Sequence, residues 1–580
     1  MIQNNYFTDN EDILLQFESV VPWKEIVEAY ESGFRDAAEF KKTQNENLAM
    51  APADTEEAVE YYKAILESMG EISGKTVAPA SQIMDRKGLR FENGKVIFPD
   101  EMIKCFETIR DAGLLPFSVR RTHGGMGVPV VIQSMYLELL SRADASLALT
   151  FGAFNLSETI ERFGSPEIID EWIPKMTAGD ACGAMALTEP NYGSNLAGVQ
   201  TLAAKQKDGT WLLNGTKLFI THGCGFADKP SVILTLARTG SPDSGARGLS
   251  FFIVDGKNVQ VAGIETKMGI HCSPTCQLVY ENSPGILMGE EGYGLIKYAM
   301  GMMNTARLSI AAQSLGLATA AYYEAKKYAS ERIQFDKEIE KIPAVARMLN
   351  RMEREISGMR GFLLEASRLI DGYLWKKEFM AEEGKTDKEI RKDPDIRNWE
   401  KLADLFTPLV KYYLSEECIA IASDAVQIHG GSGYTEDYDV ARIFRDARIT
   451  SIYEGTSQMQ VVGGIGSVIS GMSSAGNLRK YIEDAKHEFK FSDHLLQVEK
   501  TLEEAVEEFK SFEEDELKER LASEIIKIAV RFLAGLVFEK SLTMLEGDFL
   551  KKRKMMSDAY QIDSIALCTA SLLMLKNRAM

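Results

Sequence analysis

The 580 residues hold no paired cysteine framework, no excess of positive charge and no long uncharged apolar run. Seven cysteines, an odd number scattered from Cys105 to Cys568, do not make a disulfide scaffold in so long a chain and read as buried thiols. The tightest group, His271-Cys272-Ser-Pro-Thr-Cys276, offers three zinc ligands without a second pair to complete a tetrahedron, so no metal is expected. Lysine and arginine number 66 against 85 aspartates and glutamates, a net charge of -19 that argues against nucleic acid or anionic lipid as a partner. The first ten residues show no basic region followed by an apolar one, so no secretory signal is expected and the cytoplasm is the default location. The most apolar helical stretch, Ile525–Phe538, is shorter than the roughly 20 residues a membrane-spanning helix needs. It reads as a buried helix, and membrane contact is not expected.

Motifs are missing too. Gly431-x-Gly433 is followed by Thr435 and Glu436, and Gly223-x-Gly225 by Ala227 and Asp228, so neither completes the dinucleotide fingerprint Gly-x-Gly-x-x-Gly. There is no Gly-x-Ser-x-Gly elbow, no P-loop and no His-Glu-x-x-His. A Rossmann NAD site and the standard hydrolase and phosphotransferase chemistries are disfavoured.

What is present is an ordinary globular composition, 45% hydrophobic and 26% charged, in a chain long enough for several cores. The pattern predicts a multi-domain α+β protein. Residues 1–50 read as an N-terminal extension and 51–180 as a helical domain, with Asp100 as a helix N-cap. Residues 181–285 carry short β-rich runs, with Asn214-Gly215 in the role of a type I′ hairpin turn, and form a middle β domain. Helical periodicity returns over 286–466 as a bundle, interrupted at residues 375–401 by a charge-dense stretch that reads as an exposed, solvated insertion. Residues 467–580 form an additional helical region.

One window concentrates interest. Ser451-Ile-Tyr-Glu-Gly-Thr-Ser-Gln-Met-Gln460 contains a single charged side chain, Glu454, followed by Gly455, which permits a tight turn, and by Thr456 and Ser457, which can cap a helix. Alone, such a glutamate is ordinarily a solvated loop residue. Four other stretches combine small and polar residues as a cleft for a flat, hydrogen-bonding cofactor would: Met185–Ser194, Phe219-Ile-Thr221, Arg332-Ile-Gln-Phe335 and Gln427–Tyr434.

These stretches carry a resemblance. Ala186-Leu-Thr-Glu-Pro190 with Gly193-Ser194, Phe219-Ile-Thr221, Arg332 with Phe335, Gln427 with Gly430-Gly431, Arg445-Asp446 and Tyr453-Glu-Gly-Thr456, in that order, resemble the acyl-CoA dehydrogenases, FAD enzymes that introduce an α,β double bond into acyl-CoA thioesters. The resemblance runs from about residue 55 to 466. It implies a β-barrel-like middle domain between an N-terminal helical domain and a C-terminal four-helix bundle, with the flavin ring between barrel and bundle.

Residue by residue, the resemblance implies that Leu187 and Thr188 bind the pyrimidine side of the flavin, Phe219 packs on the ring, and Thr221 lies near N5. Ser194 would hold substrate or flavin. Arg332, Phe335, Gln427, Gly430 and Gly431 would reach the diphosphate and adenosine of an FAD bound mainly to a neighbouring subunit, which implies a homodimer or a dimer of dimers. Thr456 and Gln458 would contact FAD in the subunit that supplies Glu454. Glu454 would abstract the α-proton while hydride passes to N5, with the backbone N–H of Glu454 and a ribityl hydroxyl on the thioester oxygen. Tyr453, Gly455 and Arg307 would line the substrate side. Some members carry the base immediately before that arginine, and here the position is Ala306, which cannot take a proton.

Two departures from the family's usual residues, Asn195 for Asp and Phe219 for Trp, remove no necessary group. The tail beyond Gly466 is shared with long bacterial members resembling 3-methylmercaptopropionyl-CoA dehydrogenase, as is the wording Lys267-Met-Gly-Ile-His271; very-long-chain members also have helical tails. The resemblance implies electron-transfer flavoprotein as acceptor. An acyl-CoA oxidase using oxygen, or a non-catalytic acyl-CoA-binding protein on the same fold, remains as an alternative.

Overall fold

The computed structural model describes residues 1–578. The chain forms two compact units, one of Met1–Tyr6 with Gly33–Ala306 and one of Phe7–Ser32 with Arg307–Met580. The helical and β regions fall where sequence periodicity places them, with several local differences.

In the first unit, helix Thr55–Ile72 starts at Asp54, whose side chain accepts from the Glu57 N–H at 2.9 Å. Asp100 does not cap: it is the first helical residue of Asp100–Asp111, after Pro99, where its charge favours the positive end of the helix dipole instead. The long apolar run that follows is two buried helices, Val130–Ala143 and Ala145–Phe154. They break at Asp144, which accepts the Leu147 N–H at 2.8 Å.

The seven-stranded sheet of this unit closes on itself. Ser231–Arg238 touches Leu202–Lys205 at one end of the path and pairs antiparallel with Leu249–Asp255 at the other. Alternation along Ser231–Arg238 sends Ile233 into the barrel with Trp211, Leu213, Phe252 and Tyr280. Leu234 and Leu236 point outward against Trp172, Ile173 and Met176 of helix Pro166–Thr177. Both faces of the strand are therefore buried.

Asn214-Gly215 is not a turn. Both residues lie inside the continuous strand Trp211–Thr221, where the register against Thr275–Met288 shifts between Leu213 and Gly215. The Asn214 amide donates to Asn282 Oδ1 at 3.1 Å and its Oδ1 accepts the Asn282 N–H at 2.9 Å, so the side chain satisfies the bulge that a turn would otherwise relieve.

The second unit holds the long helices Pro343–Glu382 and Pro394–His429, helix Ser457–Gly471, and the tail helices Asn477–Glu488, Asp493–Lys510, Asp515–Leu542 and Gly547–Lys576. Residues 375–401 are largely exposed, as expected, but they are mostly helical and not one loop. Trp375 is buried inside the first long helix, edge-on to Tyr30 at 4.7 Å, and Ile390 and Ile396 are buried as well. The charges bridge the corner between helices: Lys376 Nζ lies 2.9 Å from both Asp393 and Asp395. Their local density marks a corner that is both exposed and paired.

Ile525–Phe538 is a buried helix segment, as its composition predicts, and no helix among the described residues is long and apolar enough to cross a membrane. The tail is tied to the long helices by a buried network in which the Arg531 guanidinium grips Glu355 with both nitrogens, at 2.7 and 3.0 Å. Tyr413 donates to the same carboxylate at 2.7 Å. Residues of Phe7–Ser32 join the unit through ion pairs of Asp12 with both Arg360 and Arg553 and of Glu25 with Arg368.

Candidate active site

Glu454 sits at the apex of a two-residue left-handed turn, with φ +53° at Glu454 and +88° at Gly455. A non-glycine residue there is strained by roughly 1–3 kcal/mol and is held only by its surroundings. Thr456 caps helix Ser457–Gly471 by accepting the Met459 N–H at 3.3 Å, as the sequence suggests.

Helix Pro394–His429 grips the loop on both sides of Glu454. Ser415 donates to the Thr450 carbonyl at 3.0 Å, Glu416 pairs with the Ser457 hydroxyl, and Lys411 Nζ donates to the Gly455 carbonyl at 2.7 Å. Gln460 Nε2 also donates to that carbonyl, at 2.8 Å. The Tyr453 hydroxyl is held by Gln313. Burial pushes the Glu454 carboxyl above its ordinary range, while the nearby Lys411 and Arg307 cations pull it back. The same burial lowers Lys411 to about 8 and lowers Arg307, each opposed by Glu454. A carboxylate made more basic by desolvation but kept ionisable by two cations suits a general base.

Of the expected site residues, the second unit thus brings Glu454, Gly455, Tyr453 and Thr456 together and sets Arg307 close enough to bear on the carboxylate. Gln458 lies exposed on the first turn of the capped helix.

A second group in this unit is presented outward. Ile333-Gln334 and Lys337-Glu338 make a small hairpin whose turn, Phe335-Asp336, has φ of +51° and +60°. That geometry normally calls for Asn or Gly, yet here it carries a phenylalanine 85% exposed. Arg332 precedes it. Tyr328 stacks on His429 at 4.2 Å, which brings the Arg332 segment beside Gln427, Gly430 and Gly431. A Cβ added at Gly430 or Gly431 would meet nothing within 4 Å, so this backbone is open to a close ligand.

In the first unit, Lys217 is wholly buried in strand Trp211–Thr221. Its ammonium donates to the Leu187 carbonyl at 2.9 Å and to Glu189 at 3.0 Å. Glu189 in turn accepts the N–H groups of Gln200 and Thr201 at 2.7 and 2.9 Å. The Leu218 N–H donates to the Thr188 carbonyl at 3.0 Å, so the Leu187-Thr188 segment is fixed to the strand. A second register shift between Lys217 and Ile220 leaves Phe219 with φ +62° and 57% exposed, turned out of the barrel. Thr221 ends the strand, and the next residue, His222, is buried with its ring nitrogens 3.0 Å from the Thr150 hydroxyl and 3.2 Å from the Gly225 carbonyl. Ser194 is exposed on the loop after Pro190. Exposed aromatic faces, bare glycine backbone and fixed peptide groups fit a flat, polar-edged cofactor such as FAD.

Lys411, Gln313 and Lys217 escape sequence reasoning. Lys411 leaves one signal, a lone charge in the apolar run Phe406–Leu414.

Three family models match the chain: acyl-CoA dehydrogenase N-terminal domain over residues 59–180, middle domain over 184–283, and C-terminal domain over 294–373 and 397–462. The 3-methylmercaptopropionyl-CoA dehydrogenase of Ruegeria pomeroyi is 36% identical over 69% of this chain and 69% of its own. A chain from a structural study of the electron transferring flavoprotein of Acidaminococcus fermentans is 29% identical with TM-score 0.58, covering 70% of this chain and 97% of that one. The acyl-CoA dehydrogenase from Bacillus anthracis, complexed with FAD, shares the fold at 24% identity with TM-score 0.73, covering 88% of this chain and 87% of that one.

Proposed function

Since the chain belongs to the acyl-CoA dehydrogenase family and is an FAD-dependent oxidoreductase of acyl-CoA thioesters, we propose that Glu454 is its base and electron-transfer flavoprotein its acceptor. Bound FAD supplies the hydride acceptor for the substrate β-carbon. The residues of this chain do the rest.

Glu454 takes the α-proton, and the observation that carries this reading is its setting: a desolvated carboxylate on a strained turn, gripped from one helix and flanked by Lys411 and Arg307. Ala306, ahead of Arg307, offers no competing acid. The Glu454 N–H lies at the same turn and would donate to the thioester oxygen as charge develops there. Leu187 and Thr188 would hold the pyrimidine edge of the flavin, Phe219 would cover the ring, and Thr221 would lie near N5. Arg332, Phe335, Gln427, Gly430 and Gly431 serve the FAD of a second subunit, which accounts for an exposed phenylalanine at a hairpin tip. The acceptor assignment is supported by the likeness to the Acidaminococcus chain.

Anaerobic bleaching of the flavin by a panel of acyl-CoAs tests the base. Wild type bleaches and Glu454→Gln does not; equal bleaching rates would remove Glu454 from the role. Reoxidation of the bleached enzyme by added electron-transfer flavoprotein, and not by oxygen alone, tests the acceptor.

A further inference from the structure

Gly455 presents one carbonyl oxygen to two donors. Gln460 Nε2 reaches it at 2.8 Å and Lys411 Nζ at 2.7 Å. One neutral amide suffices to satisfy a turn carbonyl. The second donor is a full charge with no exposed surface, which costs several kcal/mol to desolvate unless an opposite charge compensates it. The anions acting on Lys411 are Glu454 and Glu416. Glu416 is already bonded to the Ser457 hydroxyl, so Glu454 is the carboxylate that chiefly answers the Lys411 charge. Arg307, from helix Met300–Glu331, is the other cation of the cluster and has Asp404 as a further counter-charge.

We propose that Lys411 is a positioning residue for the reaction: its ammonium pins the Glu454-Gly455 turn through the Gly455 carbonyl and fixes a positive charge beside the base. Such a charge favours the ionised carboxylate and so extends its action as a base to lower pH. The proposal rests on the reading of Glu454 as the base. When Glu454 takes the α-proton it becomes neutral, and buried Lys411 and half-buried Arg307 then face a group that no longer balances them. That state favours loss of the proton to solvent once product leaves, which restores the carboxylate for the next turnover. Lys411 is also on the helix whose Ser415 and Glu416 hold the two flanks of the loop, so charge and geometry are delivered by one rigid element.

Three variants separate charge from hydrogen bonding. Lys411→Gln keeps an N–H donor and loses the charge, Lys411→Arg keeps both, and Lys411→Met loses both. The measurement is the anaerobic flavin-reduction rate against pH in the FAD-loaded protein. The acid limb should move upward by about one unit in Lys411→Gln and Lys411→Met, because a nearby cation stabilises a carboxylate by at least that much, and return in Lys411→Arg. If Lys411→Met yields no flavoprotein, the Gln and Arg variants decide alone. An acid limb in Lys411→Gln that coincides with wild type reduces Lys411 to a turn cap and overturns the proposal. Failure of the underlying reading looks different: Glu454→Gln would then keep both the bleaching and the acid limb.

Discussion

The Lys217 ammonium and a Glu189 carboxylate oxygen lie 3.0 Å apart where neither side chain has appreciable exposure, with Leu187 and Thr188 folded over them. The charges are buried as a pair. Breaking such a pair from one side leaves an uncompensated charge and costs about 3–5 kcal/mol. Lys217→Met should therefore lower the thermal midpoint sharply and lose bound flavin absorbance. Adding Glu189→Gln to Lys217→Met should recover part of the loss, which differential scanning calorimetry would resolve.

Gly455 has φ +88°, and a Cβ there would come within 2.7 Å of Gln460 Nε2. Gly455→Ala is expected to cost about 1–2 kcal/mol and to slow flavin reduction at least tenfold, because it displaces the donor that shares the Gly455 carbonyl with Lys411. Stopped-flow reduction with excess substrate would measure this. A full-rate variant would mean the turn is not part of the catalytic geometry.

Phe335→Ala probes the hairpin tip. Within one chain this side chain packs on little, so apoprotein stability should change by no more than about 0.5 kcal/mol. FAD retention on dilution should fall instead, along with any oligomer seen by sedimentation. Unchanged retention would detach Phe335 from cofactor binding.

Glu365 is held at about 2: burial opposes its ionisation, but Arg368 and then Lys540 and the Tyr481 hydroxyl outweigh it. Its folded value lies below an unfolded carboxylate's roughly 4.3, so its contribution is complete above that pH and fades as pH falls toward 2. The stability gap between wild type and Arg368→Met, measured by urea unfolding, should accordingly be wider at pH 5 than at pH 3.

Much of this architecture is legible because long helices repeat their apolar face every 3.6 residues and short strands alternate. Thr456 was readable as a cap from its neighbours alone. The misreadings share one cause, which is that local chemistry has more than one tertiary use. Asn-Gly serves a turn or a bulge equally well, and only the partner Asn282, 68 residues on, decides. The charges of residues 375–401 read as a loop, and the exposure is real, but only the meeting of Lys376 with Asp393 and Asp395 shows a corner between helices. Lys411 is the sharper case, since nothing within 44 residues shows that a lysine in one helix ends on the carbonyl beside Glu454. Phe219 belongs to the motif, yet only the register shift explains why it faces outward.

Asp12 pairs with Arg553, 541 residues later in the chain. At a synthesis rate of roughly 5–20 residues per second, the aspartate leaves the ribosome about half a minute to two minutes before its partner exists. Phe7–Ser32 lacks its last partner until the end of that interval, and by then every residue of the barrel unit has long been made. The order of assembly is thus opposite to the order of the chain at its start: the segment made among the first is locked among the last. A chain stalled or clipped before residue 553 would carry a complete barrel and an N-terminal segment with its key carboxylate half-paired, a state that cellular proteases can tell from the finished enzyme.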